Sequence, residues 1–142
     1  LLQGHDPAQP GRHWWFTPGG GLEGAETHRE AAARELAEET GFAIAAEQLV
    51  GPVWERSALF DFMETPFVQH EEFFLSSLAS DAVAGSVAWT VTEADTIDES
   101  RWFSLAELND VTIEIFPNQL RELLTTVTPW NGQLRHLGEE HA

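Results

Sequence analysis

The stretch GGLEGAETHREAAARELAEETGF, Gly20–Phe42, constrains the chain more than any other part of it. It sets six glutamates and two arginines behind a run of glycines. A purely solvated acidic helix has no need of glycines at its start, because they free the backbone and weaken a helix. Thr27 with Glu30 three residues on forms a capping box, and Gly41 suits the C-terminal cap. Ala31, Ala32, Ala33 and Leu36 between them are strong helix formers. The spacing therefore predicts a helix over about His28–Thr40. On it Glu35, Glu38 and Glu39 stand at i, i+3 and i+4 and share one face. Like charges so placed repel by about 0.2–0.5 kcal/mol per pair. Arg34 is placed to pair with Glu38, but one cation does not offset three anions. Hard oxygen donors gathered this way suit Mg²⁺ or Mn²⁺. The glycines offer unobstructed backbone groups of the kind that handle phosphate. A solvated acidic face after an ordinary turn accounts for each feature singly, but not for their joint spacing.

The rest of the chain limits what such a segment serves. At 142 residues it reads as a single domain, 1–142, able to bury a core without staples. It has no cysteine, which excludes disulfides and thiolate metal sites. There are 24 acidic residues against seven arginines, no lysine, and a formal charge of −17. That field repels duplex nucleic acid, so long DNA or RNA is not an expected partner. A small anionic substrate fits only if cations neutralise the site. No apolar run approaches the roughly 18 residues of a membrane span, and nothing reads as a signal peptide. The expected location is the cytoplasm. The opening LLQG reads as the end of a strand whose beginning is missing.

No repeat or low-complexity linker divides the chain. GHDPAQPGRH reads as a loop, and WWF as a short strand before Pro18. Strands are expected between Leu49 and Leu78, where Val, Phe and Trp recur. LASDAVAGSVA and TEADTIDES read as loops, and RWF as a further short strand. Ser104 with Glu107 caps a short helix. Pro117 opens another, on which Leu120, Leu123, Leu124 and Val127 keep the helical period. HLGEEHA reads as a frayed tail. His5, His13 and His28 are dispersed and suggest no zinc site. Trp14, Trp15 and Phe16 offer rings on which a base can stack, with core packing as the plainer alternative. The order of elements predicts an α+β or α/β/α sandwich.

One further pattern runs through the opening stretch. Gly20 is followed after five residues by Glu26, then after seven by Arg34-Glu35-Leu36, one residue, Glu38-Glu39, one residue, and Gly41-Phe42. This resembles the Nudix box of the Nudix hydrolase family, with every fixed position filled. TPGGGLE before it and RWFSLAEL later extend the likeness. The resemblance implies an α/β/α sandwich with a mixed β-sheet and a loop–helix–loop metal site. It implies metal-dependent hydrolysis of a nucleoside diphosphate linked to another moiety. By position, Glu38 and Glu39 ligate metal, as does the Gly19 carbonyl, and Glu35 ligates metal or orients the attacking water. Arg34 holds the carboxylates, and Glu26 supports that network. Gly20, Gly21 and Trp15 are the expected substrate contacts. Relatives often draw one more acidic ligand from outside the box, and Glu93 is the favoured choice over Asp95, Asp98, Glu99, Glu71 and Glu72. The implied cofactor is Mg²⁺ or Mn²⁺ and the implied partner a small nucleotide; a homodimer is left open. A non-catalytic nucleotide-binding regulator on the same fold is the rival, and the intact box argues against it. An isomerase on this fold favours cysteine chemistry that the chain does not have.

Overall fold

The computed structural model describes residues 1–142. Two short strands open the chain, β1 (Leu2–His5) and β2 (His13–Phe16), and α1 (His28–Thr40) follows. A 3₁₀ turn at Ala46–Gln48 leads into a long hairpin, β3 (Val50–Phe62) and β4 (Thr65–Leu75). After a loop come α2 (Val91–Thr96), β5 (Ile97–Ser100), α3 (Leu105–Asn109), β6 (Glu114–Phe116), α4 (Leu120–Thr126) and β7 (Arg135–His141). The architecture is α+β, as expected. The expected mixed strand pairing is present, divided between two sheets ordered β5-β1-β2-β6 and β4-β3-β7. In the first, β1 is antiparallel to β2 and β5, while β2 is parallel to β6. In the second, β3 is antiparallel to β4 and parallel to β7.

The predicted bounds of α1 are those observed, because both ends are chemically marked. The Glu30 amide donates to Thr27 Oγ1 and the Thr27 amide to Glu30 Oε2, closing the capping box. Gly41 ends the helix at φ 80°, a left-handed conformation that favours glycine. The core joins the sheets to the late helices: Trp15 of β2, Val53 and Trp54 of β3, Ile115 of β6, and Leu120 and Leu123 of α4 form one buried cluster with Leu108 and Val127. Leu120, Leu123 and Val127 are the fully buried part of the periodic set, and Leu124 packs at its margin. Pro117 lies ahead of α4, its carbonyl accepting from the Leu120 amide.

Three local expectations change. TEADTIDES is not a loop: Thr90 and Glu93 make a second capping box, so the segment forms α2 and then β5. The strand near RWF therefore lies a few residues earlier, at Ile97–Ser100, although the amide of Arg101 still donates to the carbonyl of Leu1. HLGEEHA is not frayed, since most of it belongs to β7, which pairs with β3. Glu140 holds it there, reaching Arg56 of β3 and accepting from the Asn118 amide at 3.0 Å. A buried ion pair set by tertiary contact overrides the polar, glycine-containing composition of the strand. No helix is long and apolar enough to cross a membrane.

Candidate functional site

The glycine loop, α1 and α2 converge on a group of carboxylates. Glu35 and Glu39, one turn apart on α1, face inward with relative exposures of 9% and 4%. Glu93, on the first turn of α2, joins them, and one oxygen from each of the three lies within 4.8 Å of the others. Glu38 shares the helix but lies outside that trio. Its side chain is 39% exposed and pairs with Arg34 at 3.1 Å.

Arg34 is the hub that holds this face together. Its Nη1 donates to Glu35 at 2.9 Å and to Glu38 at 3.1 Å. Its Nη2 donates to Glu26 at 2.6 Å and to the Gly21 carbonyl at 2.9 Å. The planar fork of a guanidinium reaches several acceptors at once, which a point charge does not. The Arg34 hydrogen bonds keep the Glu26 carboxyl below its ordinary range. The glycine loop is fitted to the same group. The Gly19 N–H donates to Glu39 at 2.8 Å, so the structure ties Gly19 to the cluster through its amide. A side chain at Gly20 would collide with the Glu35 carboxylate.

Glu93 reaches the cluster because a loop is clamped onto the C-terminal turn of α1. The last carbonyls of a helix lack intrahelical partners. Here the carbonyl of Glu38 accepts from the Ala88 amide at 2.7 Å, and that of Gly41 from Gly85 at 2.7 Å. The Glu39 carbonyl accepts from the Trp89 indole at 3.0 Å. A Cβ at Gly41 would run into the Gly85 backbone. With Gly85, Ala88 and Trp89 so registered, α2 starts where Glu93 faces α1. Apart from Trp89, mostly small residues mark this loop in the sequence, so its role is invisible there.

Burial raises the Glu39 carboxyl to about 8, with the neighbouring Glu35 and Glu93 carboxylates pushing the same way. Burial also raises Glu35, opposed by Arg34. A folded-state pKa above the unfolded one means that unfolding releases protons between the two values. Metal-free protein should therefore lose stability as pH rises from about 4.5 to about 8, and level off above. We expect the Tm in chelator to fall across that window in the parent and to fall less in Glu39→Gln. Parallel profiles would remove Glu39 as the cause. Added Mg²⁺ should flatten the parent profile, since a bound cation offsets the carboxylate charge.

The cluster opens on a cleft of about 850 Å³ whose lining includes Glu39, Glu93, the loop Gly19–Leu22, Trp14 and Phe16. That volume lies in the range of small-molecule sites. Trp15 is not among these rings. It is 4% exposed, packed in the core edge-on to Phe103 at 4.8 Å, so its expected role as a substrate contact is corrected. Strand alternation puts Trp14 and Phe16 on the cleft side and Trp15 on the other. Three of the other acidic residues weighed as an extra ligand are engaged elsewhere: Glu71 with Arg56, Glu72 beside His28, and Asp98 with His5 and His13. The two histidines are also not dispersed in space, because antiparallel register sets His5 directly opposite His13.

Fold and site together define an α+β domain that gathers carboxylates from a capped helix and a distant short helix, beside a glycine loop, at the wall of a cleft. The family model described as NUDIX domain matches residues 1–126, and the chain belongs to that family. It is similar to an uncharacterised Nudix hydrolase, YvcI, of Bacillus subtilis (strain 168), with 46% identity over 43 residues. That stretch is 30% of this chain and 27% of the relative, so the match spans about a quarter of the relative's length. No solved structure matches the chain.

Proposed function

We propose that the protein is a divalent-metal-dependent pyrophosphohydrolase that cleaves a nucleoside diphosphate linked to another moiety. The observation that carries this reading is the meeting of Glu93 with Glu35 and Glu39 beside the glycine loop. Residues and cation fit each other. The donors are all carboxylate oxygens, and the nearest cation, Arg34, is already shared among Glu26, Glu35 and Glu38. Mg²⁺ or Mn²⁺ suits such a set. Glu35, Glu39 and Glu93 would hold it, with Glu38 at the rim and the Gly19 carbonyl as further donors. When bound, the ion supplies Lewis acidity toward phosphate oxygens and lowers the pKa of water.

The chain's own groups do the rest. Arg34 orients Glu35, leaving that carboxylate able to accept a proton from water attacking phosphorus as the bridging P–O bond breaks. Arg34 also fixes Glu38 against the helix, and Glu26 fixes Arg34. Gly20 and Gly21 admit a phosphate chain close to the backbone. Trp14 and Phe16 offer aromatic faces to a base.

The test is a panel of nucleoside triphosphates, sugar nucleotides, ADP-ribose and dinucleoside polyphosphates, read by released phosphate or pyrophosphate. Turnover of at least one member should need Mg²⁺ or Mn²⁺ and stop in excess chelator. Full turnover in chelator would overturn the metal mechanism.

A further inference from the structure

We propose that His5, His13 and Asp98 form a cation site, separate from the glutamate cluster, that takes Zn²⁺ or a similar borderline divalent ion. The three residues come from adjacent strands of one sheet: β1, β2 and β5. His5 and His13 are direct cross-strand partners, with ring centroids 5.6 Å apart. Asp98 bridges them, its Oδ1 2.9 Å from His5 Nδ1 and its Oδ2 3.1 Å from His13 Nδ1. One donor atom from each of the three lies within 4.8 Å of the other two.

The chemistry of the donors selects the ion. Two imidazoles and a carboxylate match Zn²⁺, whose nitrogen and oxygen bonds are about 2.0–2.2 Å, better than Mg²⁺, which prefers oxygen. Tetrahedral ligands at such bond lengths sit roughly 3.3 Å apart. The two observed nitrogen–oxygen separations, one to each Asp98 oxygen, are a few tenths of an ångström short of that. The pairing of β1 with β2 holds the two imidazoles opposite each other, so little order is lost on binding. The side chains of His5, His13 and Asp98 are 29%, 47% and 31% exposed, which leaves a fourth position to water. The nearby cation Arg12 is held by Glu114 through Nε at 2.7 Å. The net charge of −17 draws cations to the surface. Asp98 lies just after α2, so an ion here ties down the element that presents Glu93.

Calorimetric titration of chelator-stripped full chain with Zn²⁺ tests the proposal. We expect one tight equivalent to bind in the parent and in Glu39→Gln alike, any weaker binding at the glutamate cluster being confined to the parent. Affinity should fall at least about tenfold in His13→Ala and in Asp98→Asn. Co²⁺ should give the visible bands of a four-coordinate ion in the parent and in Glu39→Gln. In the unmodified protein, Zn²⁺ should shift the ring-proton resonances of His5 and His13. Those shifts are read without any substitution, so a variant that fails to fold leaves the test intact. Absence of the shifts, or Zn²⁺ affinity lost in Glu39→Gln and kept in His13→Ala, would overturn the site. The outcome is independent of whether the protein hydrolyses nucleotides.

Discussion

Glu93→Gln should lower kcat by at least about a hundredfold, with little change in KM. The substitution separates two jobs of one side chain. As the third residue of α2, Glu93 accepts from the Thr90 amide at 2.9 Å, and glutamine does this equally well. The fold and the placement of α2 should therefore survive: far-UV circular dichroism should match the parent, and the Tm in chelator should equal or exceed it, since one like charge is gone. What glutamine removes is the charge that faces Glu35 and Glu39. Loss of an anionic donor acts on the step that develops charge, so it appears in kcat. Turnover near that of the parent would exclude Glu93 from the site.

Arg34→Lys should cut kcat at least about tenfold and also lower the Tm. The guanidinium serves Glu26, Glu35, Glu38 and the Gly21 carbonyl at once. Lysine keeps the charge but has one compact ammonium, so most of those acceptors lose their donor. The Glu35 carboxylate is then free to turn away from the cleft. A structural role alone would show as a lower Tm with kcat unchanged. The pairing of both losses is the expected signature, and parent-like kcat in Arg34→Lys would retire the orienting role.

What the sequence disclosed follows the range of the interactions. Thr27, Glu30 and Gly41 act within one turn of their own helix, so α1 was legible to the residue. The face shared by Glu35, Glu38 and Glu39 follows from helical period, but which of them turn inward does not. Tertiary packing buries Glu35 and Glu39 and leaves Glu38 on Arg34. Glu93 stood out only as an acidic residue in a supposed loop. Its place depends on Gly85, Ala88 and Trp89 donating to the end of α1, contacts between segments about 50 residues apart in the sequence. Trp15 shows the same limit. Alternation separates it from Trp14 and Phe16, but only the packed core says which side is the cleft. His5 with His13, and Glu140 with Arg56, depend on strand pairing that no local pattern announces.

The central claim is that Glu35, Glu39 and Glu93 together hold the divalent ion used in hydrolysis. Mn²⁺ titration followed by electron paramagnetic resonance, with turnover measured on the same samples, tests it most directly. Any Mn²⁺ held at His5, His13 and Asp98 is subtracted with the His13→Ala variant. The account predicts that bound Mn²⁺ and turnover rise together in the parent, and that Glu39→Gln and Glu93→Gln each weaken binding and turnover in step. Parent-like Mn²⁺ binding in both variants would contradict it.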